Sequence, residues 1–519
     1  MKSIFKNSFN FFVIIFAFHF SLRLAVYLFY LGENKTLFSD DFILALSDKN
    51  FFEYLMFQHS IPIGNIFISK LALITAGREN LYLFYFILNS IYSFSILIVI
   101  IKIHKLVFEK NSYFLTLLLL MTSISFLTYD TWRVDHYDHI LILLFSILTL
   151  YLSECILKKQ NFYFDYKFVI LMILLSIFSN LFIVVYLIIL SFILIFQKKY
   201  KVNFLSLLGC SIIIFFIFSS VLFKNKISIN EYTPTSIKGW NFIQRPLYTL
   251  GYEKYFDLYL KKLNISKINR LCVSKIKEEE EEENLTHKNF DNDYFLSLVL
   301  HKCYFDQKKQ IYNFEKLREI IDINNITDLD LEKAIENDIF DIKNNKWKFS
   351  GGHEDINLRT TVFFHKEAIK IYLSSFFNYP YEMIIGTVST LENQGVIFTF
   401  LNMFRWGSQL PHYYEPQHKD INFTFVKNLQ KFLSLFVIVS LILSLIISFN
   451  FLKSFILNKK TQNEDALIFL LLVICIGYNL ITSFITCCEN QRNAVMIYPL
   501  IIVISNLSFL LFLKKLKKY

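Results

Sequence analysis

Apolar residues in this chain come in long unbroken runs, separated by short segments rich in lysine. A run of about 20 such residues, rising 1.5 Å per residue, matches the roughly 30 Å hydrocarbon thickness of a bilayer. The pattern predicts ten helices of this kind, at about 8–30, 81–101, 113–128, 139–156, 168–180, 182–196, 203–223, 430–451, 466–486 and 493–513. The first, "FNFFVIIFAFHFSLRLAVYLFYL", follows Lys2 and Lys6, has no small-residue cleavage site and exceeds a signal-peptide core, so it reads as a retained span. Residues 168–196 are too many for one ordinary span and few for two. Basic segments flank both ends of this run, so a hairpin turning near Ser179 and Asn180 is the better fit.

The lysines fall in alternate connections. They sit at the N-terminus, in "KIHKLVFEK" (102–110), "KKQNFYFDYK" (158–167), "QKKYK" (197–201) and "KSFILNKK" (453–460), and in the tail "KKLKKY". Placing all of these in the cytoplasm satisfies the positive-inside rule without exception. Both termini are then cytoplasmic. Residues 31–80, "YDTWRVDHYDH" (129–139), a polar segment of about 224–429 and the short "CCENQR" (487–492) face outward. The chain thus divides into a seven-helix membrane module (1–223), an extracytoplasmic domain of mixed or mainly helical structure (224–429) and a three-helix membrane module (430–519).

Composition fits this class, with 54% hydrophobic residues and 59 Phe in 519 residues. The net charge of +10 does not point to nucleic acid, because the basic residues lie in short loops where they orient helices. "KEEEEEEN" (277–284) reads as a solvated acidic run. Cys272 and Cys303 share the outward segment, where an oxidising compartment would allow them to pair.

The candidate chemistry gathers on the outward side. Asp40 and Asp41 follow the first span. Asp130, Arg133, Asp135, His136, Asp138 and His139 lie between the third and fourth, and Glu489 and Arg492 stand before the last. Ionisable groups this close to hydrocarbon are costly and mark functional sites. Each has a plain structural alternative. Asp40 suits the N-cap of a helix starting near Phe42, "RVDHYDH" suits a salt-bridged loop, and Arg23 in the first span suits a snorkelling side chain as well as a phosphate ligand. Two carboxylates and two imidazoles in Asp135, His136, Asp138 and His139 are also the right atoms for a metal site, at no diagnostic spacing.

The order and sidedness of these groups resemble the GT-C superfamily of membrane glycosyltransferases. An acidic pair follows the first span within a long outward loop of amphipathic helices, and a second acidic loop follows the third. "ENQRNAVMIYPLIIV" is similar to the E-x-x-R and P-L opening of a final span, and "HKEAIKIYLSSFFNYPYEMI" (365–384) is similar to the interfacial helix that precedes it. The resemblance covers the two membrane modules. It departs where Phe42 follows the acidic pair, where Asn493 follows Arg492, and where the large outward domain precedes the last three spans.

The resemblance implies a glycosyltransferase of the bacterial inner membrane that draws on a polyprenyl-phosphate sugar and serves a glycan, lipid or protein acceptor outside. It implies Asp40 or Asp41 as general base, Arg492, Arg133 and Arg23 on the donor phosphate, and Asp135, His136, Asp138 and His139 as holders of a divalent ion (Mg or Mn) or orienters of the acceptor. It implies no nucleotide cofactor, in keeping with the absence of a Gly-rich phosphate loop from a chain of 12 Gly. The competing class is a transporter or flippase for polysaccharide or lipid-linked sugar. That class expects mid-span charges and an inverted repeat, and the spans are nearly uncharged.

Overall fold

The computed structural model describes residues 62–107, 138–159, 165–179, 182–197, 201–229, 369–386, 424–485 and 498–516, with isolated residues at 17–24, 46–55 and 232–250 and the short strands named below. The long elements are all helices. In chain order they are α1 (Ile63–Ala76), α2 (Leu81–Val107), α3 (Asp138–Ser153, prolonged by a π-helical turn Glu154–Lys159), α4 (Tyr166–Phe178), α5 (Phe182–Ile195), α6 (Phe204–Ile229), α7 (Thr424–Ile456), α8 (Asn463–Ile485) and α9 (Tyr498–Leu516). Two ladders of two residues each complete the set: β1 (Asn161–Phe162) with β2 (Lys201–Val202), and β3 (Phe340–Asp341) with β4 (Lys346–Trp347).

Among the described residues, five helices are long and apolar enough to cross a membrane, lying in α2, α3 with its π turn, α6, α7 and α8. The protein is therefore an integral membrane protein. These five match the expected runs at 81–101, 139–156, 203–223, 430–451 and 466–486. Helices α4, α5 and α9 fall in three more. The expected span at 113–128 and most of that at 8–30 lie outside the described residues, although Ala17, Phe20, Ser21 and Leu24 are helical or flank helix and Phe20 packs its ring on Phe86 of α2 at 5.8 Å.

Helix ends do not coincide with hydropathy edges. Helix α6 runs through "FKNKISI" to Ile229, and α7 begins at Thr424, before its apolar run. Apolarity ends where hydrocarbon ends, whereas backbone hydrogen bonding continues as long as each N–H finds its fourth-back carbonyl.

The segment at 168–196 is a hairpin. Helix α4 stops at Ser179, which is extended (φ −144°, ψ 126°), and α5 starts at Phe182. The two ends of the unit return to each other, because Asn161 and Phe162 pair in parallel with Lys201 and Val202. Capping fixes the helices at this base. The Asp165 carboxylate accepts from the Phe168 N–H at 3.2 Å, and Asn203 Oδ1 accepts from the N–H groups of Leu205 (3.1 Å) and Ser206 (3.3 Å).

The lysine-bearing ends of the helices meet. Phe196, just past α5, packs against Phe451 (5.2 Å) and Phe455 (4.5 Å) of α7 and Phe469 (5.8 Å) of α8, with Phe192 at 4.6 Å. Lys453, Lys459 and Lys460 emerge exposed beside this aromatic cluster. We call this the basic end.

Packing in the bundle relies on small polar residues, since lipid tails remove the hydrophobic drive for one apolar helix to seek another. On α7, Ser440, Ser444 and Ser448 are buried in one stripe, while Val439, Ile442, Leu445, Ile446 and Phe449 are exposed on the opposite face. Ser146, Thr149 and Ser153 of α3 are buried and donate to the carbonyls of Ile142, Phe145 and Thr149. Between α5 and α6, Ser211 Oγ donates to the Leu207 carbonyl and so accepts from the Tyr186 hydroxyl at 2.6 Å. Helix α9 is the most enclosed element. Leu500, Ile501 and Val503 through Ser508 are all buried, and it touches α2, α3, α7 and α8. A helix buried on every side carries no polar face, which is why "LIIVISNL" reads as uniformly apolar with small interruptions.

Candidate functional site

The end opposite the basic end is organised by α1. This helix of 14 residues has one charge, Lys70, and spans about 21 Å, too short to cross. Pro62 precedes it without a side-chain cap. Gly77, at φ 65°, ends it by donating its N–H to the Leu73 carbonyl at 3.1 Å. One face carries Gly64, Asn65, Ile66, Ser69 and Ala72, all buried. The other exposes Phe67, Leu71 and Ile74 at 49–69% of their surface, a face suited to lipid rather than water.

Helix α1 is docked on the tip of the α4–α5 hairpin. A Cβ added to Gly64 would lie 2.4 Å from the Phe178 ring and 2.8 Å from Ile177, so only glycine permits this approach. The lengths explain the vacancy that α1 fills. Helices of 13 and 14 residues reach about 20 Å from their common base, whereas α3 with its π turn extends roughly 30 Å from the same level. The tip therefore stops about 10 Å short of the start of α3.

The loop before α1 is tied to it. Lys70 Nζ donates to the Leu46 carbonyl at 3.1 Å and lies 4.3 Å from the centroid of the Phe51 ring. Leu46 and Phe51 are buried with Ile66, Ala72, Leu81 and Tyr85 in one apolar cluster, and Ser69 bonds the Tyr85 hydroxyl at 3.3 Å. The chain just beyond Asp40 and Asp41 is thus packed into the bundle.

Asn65 is the anomaly of this end. It is 6% exposed, and its carboxamide oxygen and nitrogen are both buried without a hydrogen-bond partner. Leaving either atom so costs about 1–3 kcal/mol. Asparagines elsewhere in the helices satisfy Nδ2 on the carbonyl four residues back, as Asn479 does on Cys475 (2.9 Å) and Asn378 on Ser374 (2.8 Å). Asn65 is the third residue of α1 and has no helical carbonyl behind it.

Of the residues singled out in the sequence, Asp138 opens α3 and His139, next to it, is fully buried. Asp40, Asp41, Arg23, Arg133, Asp135, His136 and Arg492 lie outside the described residues, as do Cys272, Cys303 and the acidic run at 277–284. No group of three metal-ligating side chains occurs among the described residues. The stretch 365–384 is helical over 369–378 and again over 380–386, with Pro380 opening the second helix. Ile371, Ser375 and Met383 are buried, while Phe377 and Tyr381 are 85% and 73% exposed, an apolar outer face of the kind found at membrane interfaces. Near the same end of α6, Lys226 Nζ sits 5.2 Å from the Tyr232 ring, which also meets Phe223 edge-on.

Sequence reasoning missed Gly64, Asn65 and Lys70. The available signal was a Gly-Asn pair inside an otherwise apolar stretch, "IPIGNIFISKLALITAG". Comparison with known proteins finds no matching family, no matching curated protein and no matching solved structure.

Proposed function

We propose that this chain is a membrane glycosyltransferase that moves a sugar from a polyprenyl-phosphate donor to an extracytoplasmic glycan, lipid or protein acceptor, with inversion at the anomeric carbon. One observation supports this reading above the others: the chain that follows Asp40 and Asp41 in sequence is held to α1 and α2 at Leu46 and Phe51, through Lys70 and a shared apolar cluster. A base must be held in place to act, and packing of its supporting segment provides that.

In the proposed reaction, Asp40 or Asp41 accepts the proton of an acceptor hydroxyl. The hydroxyl oxygen forms a bond to the anomeric carbon as the bond from that carbon to the phosphate oxygen breaks, and the electron pair leaves with the phosphate. Arg492, Arg133 and Arg23 are the side chains suited to receive that charge, arginine offering two parallel donors to a phosphate. Asp135, His136, Asp138 and His139 would hold a divalent ion or orient the acceptor. The positive-inside pattern supports placing this chemistry outside, with the basic end in the cytoplasm of a bacterial inner membrane.

The test is transfer from a panel of radiolabelled polyprenyl-phosphate sugars by membranes carrying wild type, Asp40→Asn or Asp41→Asn at matched expression. One of the two variants is expected to lose at least a hundredfold in rate, the usual share of a general base. Full activity in both variants would remove the mechanism.

A further inference from the structure

We propose that the Asn65 carboxamide, at the end of α1 that packs on the α4–α5 tip, binds a hydroxyl pair of a sugar. The inference rests on the glycosyltransferase reading for its choice of sugar. Its structural basis is independent of that reading.

Three observations converge on one place. The first turn of α1 has no side-chain cap; the Asn65 N–H donates to the Pro62 carbonyl at 3.0 Å, and the N–H groups of Ile63 and Gly64 lead the helix end. The Asn65 side chain is more than nine-tenths buried with both polar atoms enclosed and without a hydrogen-bond partner, and Cβ bonds in a helix tilt towards its N-terminus, which directs the carboxamide to that same end. The neighbouring Gly64 fixes the position, against Phe178 and Ile177 in the last turn of α4, next to which Ser179 leaves the helix in extended backbone. Irregular backbone at membrane depth persists where protein encloses it or where it lines a binding cavity.

The chemistry of the open atoms selects the ligand. Nδ2 needs an acceptor and Oδ1 needs a donor. A phosphate would satisfy Nδ2 and the helix N–H groups but would face Oδ1 with a second acceptor. It would also lie in low dielectric beside an uncharged side chain. Vicinal hydroxyls satisfy both atoms at once, since each hydroxyl donates and accepts. The buried carboxamide therefore recognises the sugar and leaves the phosphate of a lipid-linked donor to the arginines.

The experiment measures binding to purified full-length protein in nanodiscs. The probes are the polyprenyl-phosphate sugar panel and polyprenyl phosphate without sugar, each against wild type, Asn65→Leu and Asn65→Ala. The expected result is at least tenfold weaker binding of one sugar-bearing lipid by both variants, with polyprenyl phosphate bound equally by all three proteins. Leu is expected to leave thermal stability unchanged or raised, because it removes unpaired polar atoms from a buried position. If Leu does not fold, the Ala variant carries the comparison. Equal binding of the sugar-bearing lipid by wild type and variants would overturn the inference and assign the site to an ordered water, with the glycosyltransferase reading intact. Weakened binding of bare polyprenyl phosphate would overturn the sugar assignment in favour of phosphate. No binding of any probe by wild type would sink the inference and the parent reading together.

Discussion

Gly64 offers a quantitative test of how α1 is seated. In Gly64→Ala the new methyl falls 2.4 Å from Phe178 Cε1, 2.6 Å from Cδ1 and 2.8 Å from Ile177 Cγ2. Carbon atoms prefer about 3.5–4.0 Å, so the overlap is about 1.1–1.6 Å on Phe178 and about 0.7–1.2 Å on Ile177. Neither is the loose end of a long side chain; the ring is held in the last turn of α4. Overpacking of this kind costs about 1–3 kcal/mol, offset by less than about 1 kcal/mol of helix propensity gained in a first turn. Two other glycines calibrate the scale. Gly209 has nothing within 4 Å of an added Cβ, so Gly209→Ala gains up to about 1 kcal/mol. At Gly477 the nearest atom is Ile188 Cδ1 at 2.6 Å, the mobile end of its side chain, and the substitution comes out near neutral. Resistance to unfolding in a graded detergent titration should rank Gly209→Ala above Gly477→Ala above Gly64→Ala, with about 2–3 kcal/mol between the extremes. If Gly64→Ala matches Gly209→Ala, α1 does not sit on the hairpin tip.

The remaining predictions concern the hairpin and the loop. Single cysteines at Asn161 and at Lys201, Cα partners in the β1–β2 ladder, are expected to react with an impermeant thiol reagent from the same side of the membrane, and a short bifunctional reagent should join the pair. Labelling from opposite sides would mean that 168–196 crosses once. Lys70→Met keeps the apolar stem but removes the bond to the Leu46 carbonyl and the contact over Phe51. Loss of about 1–2 kcal/mol of local stability should speed hydrogen exchange about tenfold over 46–55. Unchanged exchange there would show that the loop is held by apolar contacts alone.

The five long apolar helices among the described residues were legible because apolar run length is a direct consequence of the bilayer as solvent. The turn near Ser179 was legible from the lysines: basic segments on both sides of 168–196 demand an even number of crossings. Helix α1 was not. Helices were expected somewhere in residues 31–80, but fourteen residues are too few for a span, and Gly64, Asn65 and Lys70 interrupt the apolar pattern, so neither the bounds nor the seating of this one could be read. What places it is a vacancy above a short hairpin, a property of two helices far away in sequence. The extensions of α6 and α7 past their apolar runs were hidden for another reason, since hydropathy reports hydrocarbon and is silent about hydrogen bonding. As for the candidate site, the acids next to the apolar runs could be named from their spacing to those runs. The unpaired Asn65 could not, because an asparagine's partners are invisible until the backbone behind it is known.

The enclosure of α9 bears on how the molecule is made. Helices α2 and α3 are synthesised early, yet the helix that packs against both begins at Tyr498 and leaves the ribosome after the whole of residues 224–429. At about 5–20 residues per second, that interval runs to tens of seconds. During it the growing bundle holds an open slot whose walls are later covered by Leu500, Ile501 and Val503 through Ser508. Such a chain depends on lipid or the insertion machinery to occupy the slot, and anything that slows synthesis of residues 224–429 prolongs exposure of the unfinished bundle to membrane quality control.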